Sequence, residues 1–104
     1  VGVGLGHATP AGRVDTTSGA GYAELQAAFE HYYPDVVVVP SFVCGGTDAL
    51  RYESICDSVL RISPFRPQPE DEATGVHGTN ERIPRRTYAQ GIRVLISFLE
   101  STVL

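Results

Sequence analysis

His77 is the side chain of this sequence best suited to metal or proton chemistry. It stands in Gly75-Val76-His77-Gly78-Thr79-Asn80-Glu81, a polar loop leading into a helical pattern. Imidazole is a common zinc ligand, and its ordinary pKa also suits proton transfer. Gly75 and Gly78 let the backbone approach a metal or substrate closely, and Asn80 and Glu81 can orient a ligand from behind. A solvated loop histidine beside a turn accounts for the same residues. One histidine is not a zinc site, which takes three or four ligands.

A second candidate is Gly45-Gly46-Thr47-Asp48, which follows a run of valines and opens a helical segment. Beyond the end of a strand, backbone N–H groups and the Thr47 hydroxyl can hold a carboxylate or phosphate oxygen. Alternatively, the glycines make a tight turn and Thr47 only caps the helix. No lysine follows, so this is not a Walker motif. Arg51, one turn on, can fix a carboxylate through a bidentate contact or stand in solvent. Cys44 and Cys56 read as reduced packing groups without a CxxC partner. His7 and His31 have no chemical companions nearby.

These residues need elements to position them. Tyr22, Leu25, Ala28, Phe29 and Tyr32 recur at helical spacing, with Thr16, Thr17 or Ser18 as the cap and Pro34 as the stop. Val36 to Val39 suits a strand covered on both faces. Asp48 to Cys56 reads as a short helix capped by Thr47, and Val59 to Phe65 as the next strand. Arg66 to Thr79 is a long polar loop carrying Glu70-Asp71-Glu72, a run a solvated loop explains. Pro84 fits the first position of a last helix, on which Tyr88, Ile92, Leu95, Ile96, Leu99 and Val103 trace one face. Arg85 and Arg86 sit at the wrong end of that helix for its dipole, so a pairing with the acidic loop is expected. Val1 to His7 alternates apolar residues with glycine, as an edge strand does. The order predicts an α/β layered domain, in which two core strands want partners from elsewhere.

The whole composition narrows the classes. The chain has 104 residues, 12 acidic against 8 basic, and a formal net charge of −4. An acidic balance argues against nucleic acid as the main partner. No apolar run approaches the length of a membrane span, and no signal peptide is visible. Methionine is absent and every basic residue is arginine. The absence of a start methionine suggests a piece of something longer.

Taken together, the stretches YPDVVVVPSFVCGGTDALRY, LRISPF and GVHGTNERIP, in that order, resemble the C-terminal part of the M20 family of zinc metallopeptidases. The likeness is to its carboxypeptidase S, Gly-Xaa carboxypeptidase and N-acyl-amino-acid hydrolase branch, over about the last 85 residues. The resemblance implies an α/β catalytic domain interrupted by a smaller lid. Residues 1–8 would be the lid's last strand, 9–18 a connection, and 19–104 the closing part of the catalytic domain. It also implies two zinc ions bridged by an aspartate and a water, a glutamate general base, and cleavage of an amide next to a free carboxylate. His77 matches the family's last zinc ligand. Gly45, Gly46 and Thr47 match a turn lining the substrate pocket, and Asn80 and Glu81 the residues supporting the loop. One departure is plain: Leu50 stands where the branch carries arginine, and Arg51 follows it.

The expectation is therefore a fragment of a dizinc hydrolase acting on peptides or N-acyl amino acids. It is expected to be silent alone, because an activated water needs a held metal. The rival from another class is a non-enzymatic α/β interaction module that docks a partner through apolar helix faces or strand edges. A phosphate-binding enzyme using Gly45 to Thr47 is a third reading, without a lysine or a clear arginine clamp. Apolar surface left uncovered on such a fragment would invite self-association.

Overall fold

The computed structural model describes residues 17–43, 45–69, 71 and 75–103. Three helices appear in them: α1 (Tyr22–Tyr32), α2 (Ala49–Tyr52) and α3 (Arg85–Val103). None of the described residues forms a strand. The predicted strand at Val1 to His7 lies outside the described residues, as do His7, Thr16, Cys44, Glu70 and Glu72.

The absence of strands overturns the α/β layered reading. Residues 36–43 and 58–68 run without regular structure and pair with no ladder partner among the described residues. β-branched residues favour a strand only where a pleated, half-buried surface receives them. Here Val37 is 80% exposed and Phe42 is 88% exposed. The valine run is therefore not covered on both faces.

α1 forms where the spacing predicts it, and its buried residues Leu25 and Ala28 belong to the predicted face. Its start differs. Gly21 is the N-cap, in a left-handed conformation at φ 83°, and no side chain caps the helix. Thr17 and Ser18 do not serve as the cap. Glycine meets no Cβ penalty there, and its carbonyl accepts the Leu25 N–H at 3.0 Å. Beyond the last turn, the Tyr33 N–H returns to the Phe29 carbonyl at 2.8 Å, which closes the helix ahead of Pro34.

The core is where α1 meets α3. Ala28, Tyr33 and fully buried Val94 form it, with Phe29, Tyr32, Val36 and Phe98 packed around them. α3 turns a different face inward from the one predicted. Thr87, Gly91 and Val94 are buried, whereas Tyr88, Ile92, Ile96 and Leu99 are exposed. Gly91 lets Phe65 and Pro64 approach α3 closely, and Val94 packs with Ala28 and Tyr33.

Segment 58–65 is held by side chains instead of a sheet. The Tyr33 hydroxyl donates to the buried Pro64 carbonyl at 2.9 Å, and Phe65 stacks on Tyr88 with ring centroids 5.5 Å apart. Replacing Tyr33 by phenylalanine leaves that carbonyl without its donor. A loss of about 1–2 kcal/mol in unfolding free energy is expected from denaturant titration of the chain.

The start of α3 is tied to the preceding loop through Asp71. Its carboxylate accepts from the Gln68 N–H at 2.7 Å, the Thr87 hydroxyl at 3.5 Å and the Arg86 guanidinium. The predicted pairing of arginine with the acidic loop is thus made by Arg86 and Asp71, a side chain only 4% exposed. Nearby, Arg66 bonds both carboxylate oxygens of Asp35, at 2.9 and 3.0 Å. The hydrogen bond to Arg66 holds the Asp35 carboxyl below its usual value of 3.8. A lowered folded-state pKa adds stability above the ordinary carboxylate range, and that contribution is lost as pH falls through the folded value. Asp35 lies in solvent, so screening keeps the effect small.

Candidate functional site

The loop before α3 is shaped by three residues of positive φ: Gly75 at 63°, His77 at 60° and Asn80 at 62°. The Gly78 N–H donates to the Gly75 carbonyl at 2.7 Å, closing a tight turn over Val76 and His77. Glycine suits the first position and asparagine tolerates the third. Histidine at a left-handed position costs roughly 1–2 kcal/mol. Residues held this way concentrate at functional sites. A Cβ on Gly78 would lie 3.1 Å from the Gly75 carbonyl oxygen, so the turn leaves little room for a larger residue there.

His77 is exposed, and its own N–H reaches Glu81 Oε2 at 3.4 Å. Glu81 therefore braces the backbone of the residue it was expected to support. The Asn80 carbonyl accepts from Arg82 at 3.3 Å. Among the described residues no group of three or more His, Cys, Asp or Glu side chains is placed to hold a metal ion. His77 offers one imidazole, so these residues do not by themselves fit a zinc centre.

At the other candidate, Gly45 and Gly46 are exposed, and a Cβ built on either would meet nothing within 4 Å. Neither has positive φ, so turn geometry does not demand glycine at these positions. Asp48 is the N-cap of α2 by backbone geometry, yet it makes no side-chain cap bond. The Thr47 hydroxyl accepts the Ala49 N–H at 3.3 Å. Thr47 thus caps from one residue further out than predicted, and α2 ends at Tyr52, short of Cys56. Cys56 is exposed, so it is not the packing group expected.

Arg51 and Asp48 form an ion pair at 3.4 Å between side chains that are each 82% exposed. Arg61 is better placed and escaped the sequence reading. Its Nε donates to the Thr47 hydroxyl at 3.3 Å and an NH2 group donates to Glu53 at 2.7 Å. The signal was available in LRISPF, where a lone charge interrupts an apolar segment. The hydrogen bonds of His77, Asn80 and Glu81 stay within their loop, and those of Thr47 run to Ala49 and Arg61. The two candidates are thus built separately, the first from contacts within its loop and the second with a bond to Arg61, 14 positions on.

No family model matches the chain, and no solved structure matches it significantly. Curated proteins do. The chain is 30% identical over 82 residues to the N-fatty-acyl-amino acid synthase/hydrolase of Mus musculus, a match covering 78% of this chain and 16% of that protein. It is 26% identical over 89 residues to the probable carboxypeptidase S-like 2 of Dictyostelium discoideum, covering 86% of this chain and 17% of that protein. An N-fatty-acyl-amino acid synthase/hydrolase of Danio rerio is 26% identical over 82 residues, covering 79% and 16%. The chain therefore spans about a sixth of the length of these relatives, and over most of its own length it is similar to proteins named as N-acyl amino acid hydrolases and a carboxypeptidase.

Proposed function

We propose that this chain is a stretch of a dizinc hydrolase that cleaves peptide or N-acyl amide bonds next to a C-terminal carboxylate, and that it is inactive alone. The observation that carries the reading is the likeness to hydrolases over some 80 residues. In this reading His77 is one zinc ligand, and the remaining ligands and the general base come from sequence outside these residues. The left-handed backbone at His77 and the Glu81 bond to its N–H shape the loop that carries the imidazole, with Asn80 at a second left-handed position of that loop. Gly45 and Gly46 leave open space in which a substrate can approach the backbone, and the adjacent Thr47 is exposed. Arg51, its guanidinium exposed beside Asp48, is a further contact for a substrate carboxylate.

The test is an assay of the full-length protein with zinc. The substrates are N-acyl amino acids and N-blocked dipeptides, each as the free acid and as the methyl ester. Hydrolysis of the free acids is expected, with kcat/KM at least about ten-fold lower for the esters, since a charge-assisted contact is lost. The 104-residue chain alone is expected to release no product. Absence of turnover on every member of the panel overturns the proposal, as does equal turnover of acids and esters for its carboxylate specificity.

A further inference from the structure

Arg61 and Thr47 are separated by 14 positions in sequence, yet they meet at the Gly45-Gly46-Thr47 turn. A threonine hydroxyl has one hydrogen to donate and two lone pairs to accept with. Here the two lone pairs are engaged by the Ala49 N–H and by the Arg61 Nε–H, each at 3.3 Å. With both acceptor positions filled, the hydroxyl is committed to donating its hydrogen. A cationic donor on the oxygen also polarises the O–H bond and strengthens that donation.

The Arg61 guanidinium is itself fixed. Glu53 accepts from its NH2 group at 2.7 Å, and the two side chains are 24% and 18% exposed. A planar fork held at one end by a carboxylate presents its Nε–H in one direction. Arg51, largely exposed beside an equally exposed Asp48, has no such definition.

We infer that Arg61 is a positioning residue that turns Thr47 into an obligate hydrogen-bond donor toward an acceptor oxygen of the substrate, a carboxylate or amide carbonyl. The inference rests on the reading that this turn lines the substrate pocket. Arg61 acts through Thr47 and touches no reacting atom.

A double-mutant cycle on the full-length protein tests it, together with hydrogen exchange at Ala49. Thr47→Val and Arg61→Ala are each expected to raise KM for an N-acyl amino acid about ten-fold with kcat within about two-fold, the pattern of lost uniform binding. The double variant is expected to be no worse than either single one, because the two changes remove the same interaction. Thr47→Ser, the conservative variant, keeps the hydroxyl and is expected to recover most of the KM rise seen in Thr47→Val. Arg61→Lys keeps a charge for Glu53 but cannot serve both partners with one fork; it gives the same KM rise at an unchanged melting temperature. Additive losses near a hundred-fold, or an Arg61→Ala effect confined to melting temperature, overturn the proposal. If the full-length protein hydrolyses nothing, the functional reading fails, and exchange at Ala49 still decides the positioning. Faster exchange there in both the Thr47→Val and Arg61→Ala variants upholds the contact, and unchanged exchange overturns it.

Discussion

Replacing His77 by alanine in the full-length protein is expected to reduce both its bound zinc and its turnover of N-acyl amino acids, the latter by about a thousand-fold or more. The size follows from the role proposed for it. Losing an outer partner of a metal ligand costs about 10–100-fold in affinity or activity, and a ligand itself carries more. Among the described residues no group of three or more His, Cys, Asp and Glu side chains is placed to hold the metal once the imidazole is gone. Glu81→Gln is the informative companion. It weakens the acceptor for the His77 N–H, a 3.4 Å contact, without touching the imidazole. Its loss should stay within about ten-fold. Zinc measured by elemental analysis beside steady-state kinetics separates the cases. A His77→Ala enzyme that keeps its metal and its turnover removes His77 from the site.

The second large effect is on stability, at Gly91. A glycine inside a helix normally invites replacement, because alanine there gains about 1 kcal/mol from helix propensity. At Gly91 the sign reverses. An added Cβ would lie 2.3 Å from Phe65 Cδ1, 2.6 Å from Cε1 and 3.1 Å from the Pro64 carbonyl oxygen. The ring cannot simply swing away, since its other face stacks on Tyr88 and the adjacent Pro64 is tied to Tyr33. Overpacking of this kind costs about 1–3 kcal/mol, and for valine the added branching places the cost at the upper end. Gly91→Ala is therefore expected to lower the unfolding free energy by about 1–2 kcal/mol in spite of its propensity, and Gly91→Val by about 3 kcal/mol. Denaturant titrations measure both. Gly91→Ala combined with Phe65→Leu makes room for the methyl group, so it should be less destabilised than the sum of the two single changes. A Gly91→Ala chain more stable than wild type would show that Phe65 does not rest on this helix. The effect reaches the candidate site as well, because the segment displaced with Phe65 also carries Arg61.

Some of this was legible along the chain. The 3.6-residue recurrence of Leu25 and Ala28 located α1 and its inward face. Pro84 located the start of α3, and its carbonyl accepts the Tyr88 N–H at 3.0 Å. The acidic loop and the misplaced arginines of α3 pointed to each other, and Arg86 meets Asp71. The strands were misread because Val36 to Val39 states a preference for a pleated, covered surface without saying whether a partner provides one. The α3 face was misread for a related reason. Its apolar residues extend beyond one stripe, and periodicity cannot tell which of two apolar faces a small neighbour such as Ala28 will approach.

At the candidate site the division is similar. Residue types alone marked His77, Gly45, Gly46 and Thr47, because an imidazole between glycines and a hydroxyl after a glycine pair are chemical statements needing no coordinates. The left-handed backbone of His77, the Glu81 brace and the Arg61 bond to Thr47 were decided only in three dimensions. Backbone dihedrals depend on the turn that closes around them, and a contact spanning 14 residues depends on how an irregular segment is anchored to two helices. Local chemistry was determined by the sequence; the tertiary contacts of Tyr33, Phe65 and Gly91 decided which side chains could reach it, since packing and not spacing sets the path of a segment that has no ladder of its own.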